Sequence, residues 1–219
     1  MIISHRHKFI FVHLHKCAGT SVTRALIPYL GRNDLVFGCT PKYERISKQS
    51  RNSGGPHKHS TAKEIREYVG DERWHEYLKF SFVRNPWDLV LSKYFWWHKT
   101  PGDWSETSSA TKKRIMEMPF SEYAKNYGKN QSFYKSMVSS ANASEIDLDF
   151  VGRYETLDAD FEKLCQELHF PAISLLSLNT SSEMREKPSY VDYYDEESRE
   201  VIAKVYAKEI ENFGYQFGA

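Results

Sequence analysis

A short segment of small and basic residues near the start of the chain has the composition of an anion-binding turn. The segment comprises residues 15–21, with the sequence His-Lys-Cys-Ala-Gly-Thr-Ser, and we call it the cradle. Backbone N–H groups of such a turn, and of a helix that begins there, point toward a bound phosphate or sulfate. Gly19 allows a close approach of the backbone, and Lys16 adds a positive charge. Thr20 and Ser21 add hydroxyl donors. An ordinary strand-to-helix turn with a surface lysine is the alternative.

The cradle lacks the spacing of a nucleotide-hydrolysing P-loop. That motif has a glycine, four residues, and then Gly-Lys followed by Ser or Thr. Here Lys16 precedes Gly19, and the first glycine of the motif is missing. The spacing therefore disfavours ATP or GTP hydrolysis. It leaves a nucleotide whose terminal group is held without an obvious magnesium ligand.

A second strand-turn-helix pattern carries an arginine and a serine. Residues 79–83 are strand-like, Arg84 begins a turn, and Pro86 stands where a first helical position favours proline. An arginine at the carboxyl end of a parallel strand faces the ligand crevice of an α/β fold, and its guanidinium suits a bidentate phosphate contact. Ser92 can add a hydroxyl to the same anion. A structural ion pair between Arg84 and Asp88 is the alternative.

The two motifs together resemble those of the PAPS-dependent sulfotransferases, in particular the carbohydrate (heparan and chondroitin type) branch. The chain resembles a soluble, bacterial-like member of that branch. PAPS is 3′-phosphoadenosine 5′-phosphosulfate. The resemblance implies transfer of a sulfuryl group from PAPS to an acceptor hydroxyl, with no metal. It assigns the 3′-phosphate to Arg84 and Ser92. It assigns the 5′-phosphosulfate to the cradle residues Lys16, Cys17, Ala18, Gly19, Thr20 and Ser21.

Two histidines, His57 and His59, are the candidates for the base that such a transfer needs. An imidazole with an ordinary pKa of about 6.5 can take a hydroxyl proton at neutral pH. The resemblance assigns the catalytic base to His59, with His57 as the nearby alternate, and it assigns Lys16 to the leaving oxygen. From the residues alone, a solvated or helix-capping histidine is the alternative. His13 and His15 alternate where the first strand runs into the cradle, and they precede Lys16 and the residues that follow it.

The composition indicates an ordinary folded chain. With 219 residues, 40% of them hydrophobic and 15% aromatic, the chain is neither disordered nor too short for a core. A net charge of +1 gives no general attraction to nucleic acid or membrane. The apolar runs are too short to span a bilayer, and three scattered cysteines indicate neither a disulfide framework nor a zinc site. We expect a cytoplasmic protein without nucleic-acid, membrane or metal partners.

Strand and helix patterns alternate along the chain and predict a single α/β domain over residues 1–219. A capping box of Thr61 and Glu64 predicts a helix that ends at Gly70. The resemblance implies a P-loop-like three-layer fold with a central, mainly parallel sheet flanked by helices. The predicted strands are residues 9–14, 79–83 and 149–152, and the main helices are residues 18–30, a helix from Pro86, a helix behind the third strand, and residues 195–214.

Two polar segments, residues 41–56 and 101–111, are predicted to be long loops. Between Lys42 and Lys63 there are six basic residues against Glu44 alone, a local net charge of +5. This patch faces either PAPS or an acidic acceptor such as a uronic-acid or sulfated glycan. A solvated loop that happens to be basic is the alternative.

Two other classes of function stay open. A small-molecule kinase would use the same cradle and predicts dependence on magnesium and ATP, although the missing Walker spacing counts against it. A non-catalytic nucleotide- or glycan-binding module would tolerate loss of His59. The residues leave the acceptor open between a glycan and a smaller hydroxylated molecule, and they leave the oligomeric state open.

Overall fold

A five-stranded mixed sheet organises the chain. Its strands are β1 Ile2–Ser4, β2 Phe9–Phe11, β3 Leu35–Val36, β4 Leu78–Val83 and β5 Phe150–Arg153. Their order across the sheet is β3-β1-β2-β4-β5. The structure is a computed structural model, and it describes residues 1–99, 106–128, 132–139, 145–175 and 189–219. Strands β2, β4 and β5 are parallel, whereas β1 pairs antiparallel with both β2 and β3. The predicted α/β fold with a largely parallel sheet is confirmed, but β1 and β3 were not predicted.

The helices follow the local start and stop signals closely where the sequence contains them. Thr61 accepts a hydrogen bond from the N–H of Glu64, whose carboxylate accepts from the N–H of Thr61, and the helix ends at Gly70 as predicted. Pro86 opens a helix as predicted. The helices are α1 Gly19–Leu26, α2 Pro41–Asn52, α3 Ala62–Val69, α4 Asp71–Glu76, α5 Pro86–Lys99, α6 Glu106–Glu117, α7 Phe120–Tyr127, α8 Leu157–Glu167, α9 Glu196–Val205 and α10 Ala207–Phe213.

The chain divides into two compact units. The first comprises Met1–Val83 and Phe133–Glu183, and the second comprises Arg84–Ser132 and Met184–Ala219. The whole sheet lies in the first unit, together with α1 to α4 and α8, and the second unit is helical. A single domain over residues 1–219 stays a prediction.

The core of the first unit is aromatic. The rings of Phe11 and Phe80 stack with centroids 4.9 Å apart, which ties β2 to β4. The pairing continues past β2, because the N–H of Val12 donates to the carbonyl of Phe80 over 2.9 Å. The hydroxyl of Ser81 donates in turn to the carbonyl of Val12 over 2.7 Å. The backbone just beyond β2 is thereby fixed to β4, shortly before the cradle begins.

In the second unit, α5 is held by hydrogen bonds to the C-terminal part of the chain. The indole of Trp87 donates to the carbonyl of Arg199 over 3.1 Å, and the hydroxyl of Tyr194 donates to the carbonyl of Trp87 over 2.8 Å. Asp195 caps α9 as predicted, since its carboxylate accepts from the N–H of Ser198. The predicted last helix is interrupted at Tyr206 and forms α9 and α10 instead.

The prediction of a loop over residues 41–56 was wrong for residues 41–52. Residues Pro41–Asn52 form α2, in which Thr40 is the N-cap and accepts from the N–H of Tyr43, and Pro41 stands at the first helical position. Ser47 is the one buried residue of α2, so the segment has no apolar period to reveal it. The prediction of a loop was also wrong for residues 106–111, which lie in α6, while residues 101–105 lie outside the described residues. Helix α1 ends at Leu26, and Ile27–Tyr29 continue as a 3-10 turn.

Within the part of the chain that the structure describes, no helix is long and apolar enough to cross a membrane.

Candidate functional site

The cradle joins β2 to α1 through a backbone turn with left-handed residues. Lys16 and Ala18 have φ angles of 62° and 59°, which for residues other than glycine costs about 1 kcal/mol or more each. Turns of this kind bring successive N–H groups to one side and make a concave anion site. Ala18 is the N-cap of α1, and its methyl group cannot accept hydrogen bonds from the N–H groups of the first turn. The first turn also contains no carboxylate side chain. The backbone of the cradle therefore fits a phosphate or sulfate group.

A histidine of the same unit leaves no room for a side chain at position 19, so this position requires glycine. A Cβ added at Gly19 would overlap the imidazole ring of His13, which is almost completely buried. From the sequence, this glycine was expected to allow the close approach of a ligand. In the structure, the side chain of His13 takes the space beside it.

His59 contacts the cradle through two neighbouring histidines. Its Nδ1 lies 2.9 Å from the carbonyl oxygen of His13, and its ring stacks on that of His15 with centroids 3.5 Å apart and planes 22° apart. A carbonyl only accepts, so Nδ1 of His59 carries the hydrogen. In a neutral ring the lone pair is then on Nε2. His59 therefore has the tautomer of a base whose accepting atom is Nε2.

The alternate candidate, His57, lies outside this stack. Its Nδ1 is 2.7 Å from the hydroxyl of Ser60, and the backbone N–H of His57 donates to the same hydroxyl over 3.0 Å. His57 thus helps to close its own turn. Of the two candidates for the base, the structure brings only His59 against the cradle.

The electrostatic surroundings keep His13 and His59 neutral. Burial lowers the pKa of His59 to about 2, the nearby His15 adds to the effect, and the hydrogen bond to His13 opposes it. Burial also lowers the pKa of His13 well below its usual range, and the amino group of Met1, 3.3 Å from Nδ1, acts in the same direction. A negative charge bound at the cradle would raise the pKa of His59, because it favours the charged form.

The turn that carries His59 is fastened to α2 by Lys58. The backbone N–H of Lys58 donates to the hydroxyl of Ser47 over 2.8 Å, and its ammonium lies 2.7 Å from the carboxylate of Glu44. That carboxylate also accepts from the N–H of Cys39 over 2.9 Å. Helix α2 is thus part of the support for the site, which the sequence did not reveal.

The basic patch is a helix face. Its four cations on α2 follow one another at intervals of three residues and are all exposed, so they wind over the solvent side of the helix. Among the described residues no carboxylate lies within ion-pair distance of these four side chains. The four are Lys42, Arg45, Lys48 and Arg51.

In the second unit, Arg84 is oriented by Asp88. The Nε of Arg84 donates to a carboxylate oxygen of Asp88 over 2.7 Å, and Arg84 is buried. The ion pair that the sequence analysis gave as the alternative is therefore present. Ser92 lies four residues beyond Asp88 on α5, so the two share a helix face. Asn85 fixes the turn, since its side chain donates to the carbonyl of Gln216 over 3.0 Å.

The structure places the predicted residues in two groups. The cradle and His59 belong to the first unit, whereas Arg84 and Ser92 belong to the second. Binding of one nucleotide by both groups stays a prediction. Within the described residues no cluster of three or more histidine, cysteine, aspartate or glutamate side chains is placed to hold a metal.

The role of His13 was not predicted from the sequence, because this residue lies just before the cradle. Its burial had a signal in the sequence, since His13 continues the apolar run that begins at Phe9.

Two comparisons with known proteins bear on this site. The model of the protein family described as "Sulfotransferase family" matches residues 1–216. An uncharacterized protein of Archaeoglobus fulgidus is 25% identical over 120 residues, which cover 54% of this chain and 90% of that protein. The family match therefore extends over nearly the whole chain.

Proposed function

This chain belongs to the sulfotransferase family, and we propose that it transfers a sulfuryl group from PAPS to a hydroxyl of a carbohydrate by direct in-line displacement. Membership of the family makes it a PAPS-dependent transferase. One observation carries the proposal for this site. A neutral imidazole, His59, lies against a turn whose backbone fits an anion, and a carbonyl of the same unit fixes its tautomer.

The cradle suits the phosphosulfate of the donor. The first N–H groups of α1 find no acceptor in the side chain of the N-cap, Ala18, and an anion would accept their hydrogen bonds. When bound, PAPS supplies an activated sulfuryl group whose leaving group is adenosine 3′,5′-bisphosphate. Lys16 would hold the leaving phosphate oxygen, and the hydroxyls of Thr20 and Ser21 would add donors.

His59 would accept the proton of the acceptor hydroxyl at Nε2. The carbonyl of His13 holds the ring in place and stabilises the imidazolium that forms, because it accepts the N–H of Nδ1. Lys16 would stabilise the negative charge that grows on the leaving oxygen. The transferred sulfuryl group carries less negative charge than a phosphoryl group, so a lysine and backbone dipoles suffice.

Arg84 and Ser92 are the residues that we propose for the 3′-phosphate. The carboxylate of Asp88 accepts a hydrogen bond from Nε of Arg84 and so fixes the orientation of the planar guanidinium group. The exposed cations of α2 favour an acidic glycan among the carbohydrate acceptors. A cytoplasmic location and a single domain complete the proposal.

Calorimetric titration with adenosine 3′,5′-bisphosphate tests the proposal without an acceptor. We expect binding with a micromolar Kd or tighter, and weak binding of ATP with magnesium. If the bisphosphate fails to bind, the proposed donor site is wrong. Binding of ATP with magnesium in its place would favour the kinase alternative.

A further inference from the structure

We propose that the stacked histidines His15 and His59 divide two roles in the reaction. His15 is the ring that takes up a proton and, as a cation beside Lys16, binds the phosphosulfate of the donor, whereas His59 stays neutral and is the base. The inference rests on the proposed function and adds a donor-binding residue to it.

The geometry of the stack limits its charge. The ring centroids of His15 and His59 are 3.5 Å apart, and the planes are nearly parallel. Two positive charges at that distance repel each other strongly. The pair therefore holds one proton at most, and the proton goes to the ring that is easier to charge.

Exposure to solvent selects His15 as that ring. His15 is exposed to solvent, whereas His59 is half-buried, so charging His15 sacrifices less hydration. His59 also meets the buried ring of His13 edge-on, with centroids 4.8 Å apart. His15 directly precedes Lys16 in the cradle.

The charged groups around the pair make its protonation depend on an anion. Lys58 acts on His59 as a cation, although its ammonium is paired with the carboxylate of Glu44 over 2.7 Å. A bound phosphosulfate adds negative charge beside the two rings and therefore favours the uptake of a proton from solvent by His15. The basic and titratable neighbours are Lys16, Lys58, His13 and the amino group of Met1, and burial lowers the pKa of the last two and so favours their neutral forms.

The same repulsion couples two proton movements during transfer. The acceptor oxygen forms its bond to sulfur, the bond from sulfur to the phosphate oxygen breaks, and the hydroxyl proton goes to Nε2 of His59. As His59 becomes charged, the proton on His15 moves to the leaving phosphate oxygen. The stack then holds one proton before and after the step.

Proton uptake on binding of adenosine 3′,5′-bisphosphate tests this assignment. Titrations between pH 6 and 8, in buffers of different ionisation enthalpy, count the protons taken up. A variant with both His15→Gln and His59→Gln gives the contribution of the ligand phosphates. We expect the wild type to take up as much as one proton more than this variant, and its affinity to rise by up to about tenfold per pH unit as the pH falls.

The single variants identify the ring. His15→Gln should lose the extra uptake and the pH-dependent gain in affinity, whereas His59→Gln should keep both. Uptake that survives in His15→Gln and disappears in His59→Gln would place the proton on His59 and overturn the proposal, as would unchanged uptake in both variants. His15→Asn repeats the measurement should His15→Gln fold poorly.

If the bisphosphate binds the wild type without extra uptake, the inference fails while the donor site stands. If it does not bind at all, the proposed function itself fails.

Discussion

The imidazole of His13 fills the space in which a side chain on Gly19 would lie. Because Gly19 begins α1 and His13 accepts the hydrogen bond from His59 through its carbonyl, this contact joins the cradle to the candidate base. The glycine is therefore needed for the packing of the free protein, before any ligand is considered.

Gly19→Ala should destabilise the protein by about 1–3 kcal/mol, the usual range for an overpacked site. Urea unfolding of the variant measures this change. The combined variant Gly19→Ala with His13→Ala should lose less stability than the sum of the two single variants, because removal of the ring relieves the overlap. Additive losses would contradict the packing explanation.

His59→Ala should lower turnover by about 10²-fold or more and leave the affinity for adenosine 3′,5′-bisphosphate nearly unchanged. The reason is that Nε2 of His59 is the proposed proton acceptor and makes no proposed contact with the nucleotide. Initial rates with PAPS and calorimetry of the bisphosphate separate the two effects. His57→Ala is the comparison, and a larger loss of turnover in that variant would move the base to His57.

Arg84→Ala should weaken binding of adenosine 3′,5′-bisphosphate by about 1.5–3 kcal/mol, the scale of a hydrogen bond to a charged group. Asp88→Asn should weaken it less, since the guanidinium remains but loses its charged partner. Arg32→Ala, which removes an exposed arginine of the first unit, controls for overall charge. An affinity of Arg84→Ala equal to that of the control would remove Arg84 from the site.

Stability should fall as the pH drops below about 6.5, the ordinary pKa of histidine. His13 and His59 have pKa values in the folded protein that lie below this value, so the unfolded chain binds more protons as the pH falls. Each ring lowers the free energy of unfolding by at most about 1.4 kcal/mol per pH unit until its folded pKa is reached. Urea unfolding at pH 7, 6 and 5 measures the slope. His59→Asn should reduce the slope, and an equal slope in both proteins would show that His59 is not held neutral.

Local signals in the sequence predicted several elements of the fold. The capping box of Thr61, the proline at position 86 and the N-cap at Asp195 each act over one helical turn, so neighbouring residues suffice to reveal them. Helix α2 lacked such evidence on its inner face, because Ser47 is its one buried residue. The antiparallel strand β1 depends on pairing with two other strands, and three residues are too few to show a period.

The candidate site was predictable in its parts and not in their arrangement. The cradle follows from the types and order of its residues, and the resemblance pointed to His59. The stack of His59 on His15 joins positions 44 residues apart in sequence, and it depends on the turn that Lys58 attaches to α2. No pattern within either segment contains that contact.

The attachment of this turn combines three kinds of interaction in one lysine. The hydrocarbon stem of Lys58 covers Gly38, whose φ of 90° and lack of a side chain admit it. The ammonium pairs with Glu44, and the backbone N–H donates to Ser47. Salt screens the ion pair, yet it leaves the apolar cover and the neutral hydrogen bond in place. Two of the three contacts that hold the turn of His59 therefore persist when the ionic strength rises.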